Sequence, residues 1–128
     1  MLLLDTCTLL WLVGDKSKIP PSAISAIDEN REDLFVSAVS ILEIGIKVAK
    51  GRLALPLSPL AWYERALQLH GLEERSVDGR IALFSTELPP VHADPFDRIL
   101  IATARLQNLT ILTPDPLIQK YPDVKWAW

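Results

Sequence analysis

The sequence predicts an α/β fold: a three-layer α/β/α sandwich around a central, mainly parallel sheet. Three observations carry that expectation. Short apolar runs alternate with longer amphipathic segments along the chain, the pattern of strands joined by helical crossovers. The opening run Met1-Leu2-Leu3-Leu4 is apolar at consecutive positions, as a parallel strand covered on both faces requires. Nearly half of the 128 residues (49%) are hydrophobic, which suits one core of common domain size and argues against disorder. No repeat, low-complexity tract or long linker divides the chain, so residues 1–128 are read as a single domain.

The opening tetrad stops at Asp5-Thr6, and Thr8 to Val13 then reads as a short helix ended by Gly14. Pro20-Pro21-Ser22 starts a second helix, Ser22 to Asn30, with Ile24 and Ile27 on one face. Leu34-Phe35-Val36 is the second strand. Ser40 to Lys50 is the clearest helix, because Ile41, Leu42, Gly45, Ile46 and Ala49 repeat at the spacing of one buried face. Gly51 can end it, and Pro56 and Pro59 enforce a loop. Leu60 to His70 is a further helix closed by Gly71, Glu73 to Ser76 a short strand, and Gly79 to Glu87 a helix. After Pro89-Pro90 come a long helix from Phe96 to Gln107 and a strand from Thr110 to Thr113. A short helix, Pro116 to Lys120, and a last strand, Val124 to Trp126, complete the chain.

Composition narrows the function classes. One cysteine, Cys7, excludes an internal disulfide and fits a reducing compartment. Asp5 interrupts the apolar start and no basic segment precedes it, which disfavours a secretory signal. No uncharged run approaches the ~20 residues of a membrane helix, so a soluble cytoplasmic domain is expected. The net charge of −3 looks wrong for a phosphate-binding surface, yet four carboxylates removed from it leave +1. The charge balance therefore neither supports nor excludes RNA.

Five acids fall where an α/β sheet would converge them: Asp5, Glu43, Asp94, Asp97 and Asp115. Ligands of such sheets bind beyond the carboxyl ends of the strands. Each aspartate also has a local explanation. Asp94-Pro95 and Asp115-Pro116 are helix starts, Asp97 then lies in a first turn, and Asp5 or Thr6 can cap the first helix. Glu43 differs, since it lies mid-helix between Leu42 and Ile44 where no cap is needed. It reads either as a surface pair with Lys47, worth only about 0.2–0.5 kcal/mol, or as a half-buried site residue. Taken together, two acids ~5 Å apart repel by roughly 3 kcal/mol at an effective dielectric of 20. A cluster of four calls for a cation. Oxygen ligands suit Mg2+ or Mn2+, and such a site activates water at a phosphoryl group.

Other reactive residues read more blandly. Cys7 is expected as a small core residue, and neither His70 nor His92 shows metal-ligand spacing. Ser37 and Ser40 read as helix-start residues, and the five glycines are too scattered for a phosphate loop.

Four segments then resemble a known family in the expected order, over nearly the whole chain. They are Leu3-Leu4-Asp5-Thr6, Val36 through Ile44, His92-Ala93-Asp94-Pro95-Phe96-Asp97-Arg98 running on to Ala104, and Leu112-Thr113-Pro114-Asp115. They are similar to the PIN domain and, more narrowly, to VapC-type ribonuclease toxins of type II toxin–antitoxin systems. That resemblance implies a metal-dependent endoribonuclease, with Mg2+, or Mn2+ in its place, held by Asp5, Glu43, Asp97 and Asp115. By position, Thr6 and Thr113 support the site, and Asp94 is either a supporting acid or only a cap. Family members commonly have Thr-Ala-Asp where this chain has Thr-Pro-Asp, so Pro114 removes one backbone donor there. The implied partners are RNA, a VapB-like antitoxin and a second copy of the chain. Trp62, Trp126 and Trp128, more than a small core needs, suit an interface or edge packing of the last strand. Lys47, Lys50 and Arg52 suit RNA phosphates or a solvated helix end.

Three other readings stand beside this one. A haloacid-dehalogenase-like phosphatase also places an aspartate after its first strand, but needs Asp-x-Asp where Cys7 is third. A receiver-like phosphoacceptor module wants paired acids at Asp5-Thr6 and a lysine at Thr113-Pro114. A catalytically silent PIN-like domain would only bind a partner.

Overall fold

Five strands of three or four residues form one sheet in the computed structural model, which describes residues 1–128. In chain order the elements are β1 (Leu2–Leu4), α1 (Thr6–Val13), α2 (Pro21–Glu29), β2 (Leu34–Ser37), α3 (Ala38–Ala49) and α4 (Pro59–His70). There follow β3 (Glu73–Arg75), α5 (Gly79–Thr86), α6 (Pro95–Gln107), β4 (Thr110–Leu112), α7 (Pro116–Gln119) and β5 (Lys125–Ala127). The sheet order is β3-β2-β1-β4-β5 and every pairing is parallel, so the expected mainly parallel sheet is wholly parallel.

All expected strands and helices are present, with ends displaced by no more than two residues. Capping explains most of the displacement. The Asp5 carboxylate accepts from the Thr8 N–H, so α1 starts at Thr6 rather than Thr8, and Ser37 caps Val39 so that α3 starts at Ala38 rather than Ser40. Pro21, Pro59, Pro95 and Pro116 each stand inside the first turn of a helix, where a missing N–H costs nothing. One unexpected element is a 3-10 turn at Lys16–Lys18, started by Asp15 accepting from the Ser17 N–H.

Strand residues point alternately to the two faces, and each face has its own core. Leu2, Leu4, Leu34, Val36 and Leu112 pack under α1, α2 and α4, with Leu9, Leu12, Ile27 and Trp62. Leu3, Phe35 and Ile111 face the other way, onto Leu100, Ile101 and Ala104 of α6 and Ile118 of α7. These are the three layers. Trp62 belongs to the first core rather than to a free surface, and Trp128 tilts against Trp11 with ring centroids 5.9 Å apart. Only Trp126 of that trio is exposed. No helix is long and apolar enough to cross a membrane.

The strand order determines where a ligand can sit. From β1 the chain moves outward through β2 to β3, then returns to the opposite side of β1 with β4 and β5. Crossovers thus diverge at the β1–β4 boundary, leaving a crevice at the carboxyl ends of those strands. Asp5 and Thr113 are the residues that leave those ends.

Candidate metal centre

Asp5 emerges from β1 almost fully buried. Its Oδ1 accepts from the Thr8 N–H at 2.8 Å, and its Oδ2 accepts from the Thr113 hydroxyl at 2.5 Å. Burial raises its pKa, and the hydrogen bonds from Thr113, Thr8 and Cys7 oppose that rise. The Thr113 oxygen in turn accepts from the Asp115 N–H at 3.0 Å. One hydroxyl therefore joins the ends of β1 and β4, and the loop closes through a side chain although Pro114 offers no N–H.

Asp115 caps α7 by accepting from the Leu117 N–H at 2.9 Å. Asp94 caps α6 by accepting from the Phe96 N–H at 2.9 Å, which places Asp97 in the first turn. Burial pushes the Asp97 carboxyl up to about 7, and the charges of Asp94, Glu43 and Asp115 add to that while His92 opposes it. Glu43 is buried on the face of α3 that carries Val39, Ser40 and Ile44, not on a solvated surface, whereas Leu42 and Ala49 of the expected apolar face are exposed. Glu43 still makes the expected pair with Lys47. Its Oε2 pairs with Lys47 Nζ at 2.9 Å, while its Oε1 is buried with no hydrogen-bond partner. A buried carboxylate oxygen without a partner is costly, and it is the feature here that most directly asks for a ligand.

Asp5, Glu43, Asp97 and Asp115 meet on one cavity of about 150 Å3, which Thr6, Cys7, Leu10 and Lys47 also line. Asp94 is not on its wall and acts as a cap beside it. The Thr6 hydroxyl donates to Ser40 Oγ at 3.0 Å, tying the start of α1 to α3, so Thr6 braces the site rather than pointing its oxygen at an acid. Thr113 holds Asp5 from below. Hard oxygen donors from four separate segments line this cavity, and those of Asp97 and Asp115, with His92, come within 4.8 Å of one another; such donors suit a divalent cation such as Mg2+ or Mn2+.

Three residues of the site have no advance signal in the sequence. Cys7 is half-buried beside Asp5, not a core residue, with Sγ 3.4 Å from Asp5 Oδ1; burial and the Asp5 charge push its thiol up to about 12. His92 Nε2 lies 3.0 Å from Asp97 Oδ2 and 3.0 Å from Asp115 Oδ2, so a residue without ligand spacing sits among the acids. Arg98 donates five hydrogen bonds: to the carbonyls of Pro89, His92, Ser85 and Leu88 and to the Tyr121 hydroxyl. It fixes the loop that presents His92. The only hint of either is their place in the His-x-Asp-Pro-Phe-Asp-Arg run.

The raised Asp97 pKa has a consequence for stability. In the unfolded chain this group ionises near 3.8, and in the fold near 7. The fold therefore binds the extra proton, so its contribution is complete below 3.8 and is lost as pH rises through about 7. Melting temperature in EDTA is expected to fall between pH 5 and 8, and a divalent cation, which favours the charged form, should flatten the slope. A melting temperature that climbs over this range in EDTA would contradict the assignment.

Comparison with known proteins identifies the family and the fold. The PIN domain family profile matches residues 2–124. Ribonuclease VapC22 of Mycobacterium tuberculosis is 24% identical over 120 residues, covering 93% of this chain and 90% of that protein. Among solved structures, VapBC2 from Rickettsia felis bound to a promoter DNA fragment superposes with a TM-score of 0.75 at 14% identity, over 98% of this chain and 96% of the other. FitAcB from Neisseria gonorrhoeae gives 0.66 at 23% identity, again over 98% and 96%. These likenesses are to the fold. With a profile match over almost its whole length, and with the sheet order and acidic crevice described above, the chain belongs to the PIN domain family.

Proposed function

We propose that residues 1–128 act as one PIN-like domain, a metal-dependent endoribonuclease that serves as the toxin of a VapBC-like toxin–antitoxin pair. The observation that carries this reading is the convergence of Asp5, Glu43, Asp97 and Asp115 on one cavity, with Glu43 Oε1 buried and unpartnered. Family membership supports a nuclease, and the relative Ribonuclease VapC22 supports RNA as substrate. A toxin–antitoxin complex from Klebsiella pneumoniae with the same fold supports an antitoxin partner.

A bound Mg2+ or Mn2+ supplies a polarised water and a counter-charge for a phosphoryl oxygen. The rest of the work belongs to this chain. Asp5, Glu43, Asp97 and Asp115 would hold the ion, and Asp97 gives up its proton as the ion binds. Thr113 and the Thr8 N–H keep Asp5 aimed into the cavity. Lys47, on the cavity wall and half-exposed, is available to an RNA phosphate, and exposed Lys50 and Arg52 continue that path. An apolar groove of about 730 Å3 adjoins the acids between α1, the α3–α4 connection and α4, and Leu10 lines both spaces. An antitoxin segment laid along it would end beside the acids. A homodimer of the chain is part of the same proposal. No observation favours a phosphatase, because Cys7 stands where a second carboxylate is needed and donates its thiol to Asp5.

Incubation with single-stranded RNA tests the reading. Cleavage is expected with Mg2+ or Mn2+, none in EDTA, and recovery when the metal is returned. Undiminished cleavage in EDTA would reject the mechanism. For the partner, the product of a neighbouring short reading frame should copurify with the chain and suppress cleavage.

A further inference from the structure

The position of His92 carries an inference that rests on the metal reading above. We propose that His92 is a positioning residue whose Nε2–H holds the Asp115 carboxylate beside that of Asp97 without itself binding the ion. Three donor atoms, His92 Nε2 and one oxygen each of Asp97 and Asp115, lie within 4.8 Å of one another, which alone would suit a histidine ligand. The other ring nitrogen decides against that. His92 Nδ1 accepts from the Asp94 N–H at 3.2 Å, so in the neutral ring the proton sits on Nε2. A nitrogen bearing that proton has no lone pair for a metal, but it donates to Asp115 Oδ2 at 3.0 Å and lies 3.0 Å from Asp97 Oδ2.

The ring is also well anchored. The His92 N–H donates to the Tyr121 hydroxyl at 2.8 Å, and its carbonyl accepts from Arg98 Nη1 at 3.2 Å. Both backbone groups and both ring nitrogens are thereby engaged. The two carboxylates come from segments far apart in the chain, α6 and the end of β4, and repel one another. A donor bonded to one and set 3.0 Å from the other offsets that repulsion, the usual work of a hydrogen bond made to a metal-binding group.

The test is Mn2+ titration of the full chain, with free ion followed by electron paramagnetic resonance. His92→Ala is expected to weaken Mn2+ binding about 10–100-fold, the usual cost of losing such an outer partner. His92→Gln, which keeps an N–H donor, should recover most of the loss. Pulsed resonance on Mn2+-loaded wild type should show no strong coupling to a coordinated imidazole nitrogen. Equal affinity in wild type and His92→Ala overturns the proposal. So does His92→Gln as weak as His92→Ala, or an imidazole nitrogen bound to Mn2+. The pulsed measurement needs no variant, so misfolding of His92→Ala would not shelter the proposal. Wild type that takes up no Mn2+ at all instead removes the metal reading, and the clamp with it.

Discussion

Asp97→Asn should lower metal-dependent RNA cleavage by about a thousand-fold or more, the scale of losing several kcal/mol of charge stabilisation at a phosphoryl group. The fold should survive, and its metal-free form should melt at the same temperature or higher. Asp97 is a carboxylate that burial and the nearby Asp94, Glu43 and Asp115 charges disfavour, so an isosteric amide relieves repulsion. The pairing of lost activity with undiminished stability separates a site residue from a structural one. Cleavage at the wild-type rate, or activity lost only through unfolding, would contradict the role given to Asp97.

Arg98→Ala should have the opposite signature, a large loss of stability. The guanidinium is half-buried and donates to the carbonyl of Ser85 in α5, to those of Leu88, Pro89 and His92 between α5 and α6, and to Tyr121. Hydrogen bonds from a charged donor are worth about 1.5–3 kcal/mol each when stranding their partners, though such losses overlap within one network. A net cost of about 3 kcal/mol or more is expected in urea titration. For a domain of this size that lowers the melting temperature by roughly 10 °C. Arg98→Lys should recover little, because a single ammonium cannot serve acceptors spread around a planar fork. A loss below about 1 kcal/mol would mean that the loop is held by other means.

Most of the fold was legible because its signals are local. Leu2-Leu3-Leu4 states a doubly covered strand, Asp94-Pro95 and Asp115-Pro116 state helix starts, and Gly71 in the left-handed region ends α4. The four acids were legible in part. Their strand-end and helix positions suggested convergence, and the family resemblance selected them from the caps. That choice was sharper than the chemistry, since Asp5 and Asp115 cap helices and line the cavity at once. Glu43 likewise pairs with Lys47 through one oxygen and leaves the other buried without a partner.

What stayed hidden depends on partners distant in the chain or without sequence character. His92 gains its meaning from Asp115 and Tyr121, more than twenty residues away, and its i,i+5 relation to Asp97 spans a turn and a helix start. Arg98 acts on backbone carbonyls, which every residue carries. Cys7 follows Asp5 by two residues, but only the bend from β1 into α1 brings its thiol back to that carboxylate. Trp62 reads as a surplus aromatic until the α4 face that buries it is known.

Asp5, Glu43, Asp97 and Asp115 are together expected to hold a divalent cation. Crystals grown with Mn2+ and measured for its anomalous scattering test this most directly. A peak is expected inside the acidic cavity, within ligand distance of these carboxylates, and it should disappear in Asp97→Asn. A cavity without a peak at saturating Mn2+, or a peak bound elsewhere on the molecule, would contradict it.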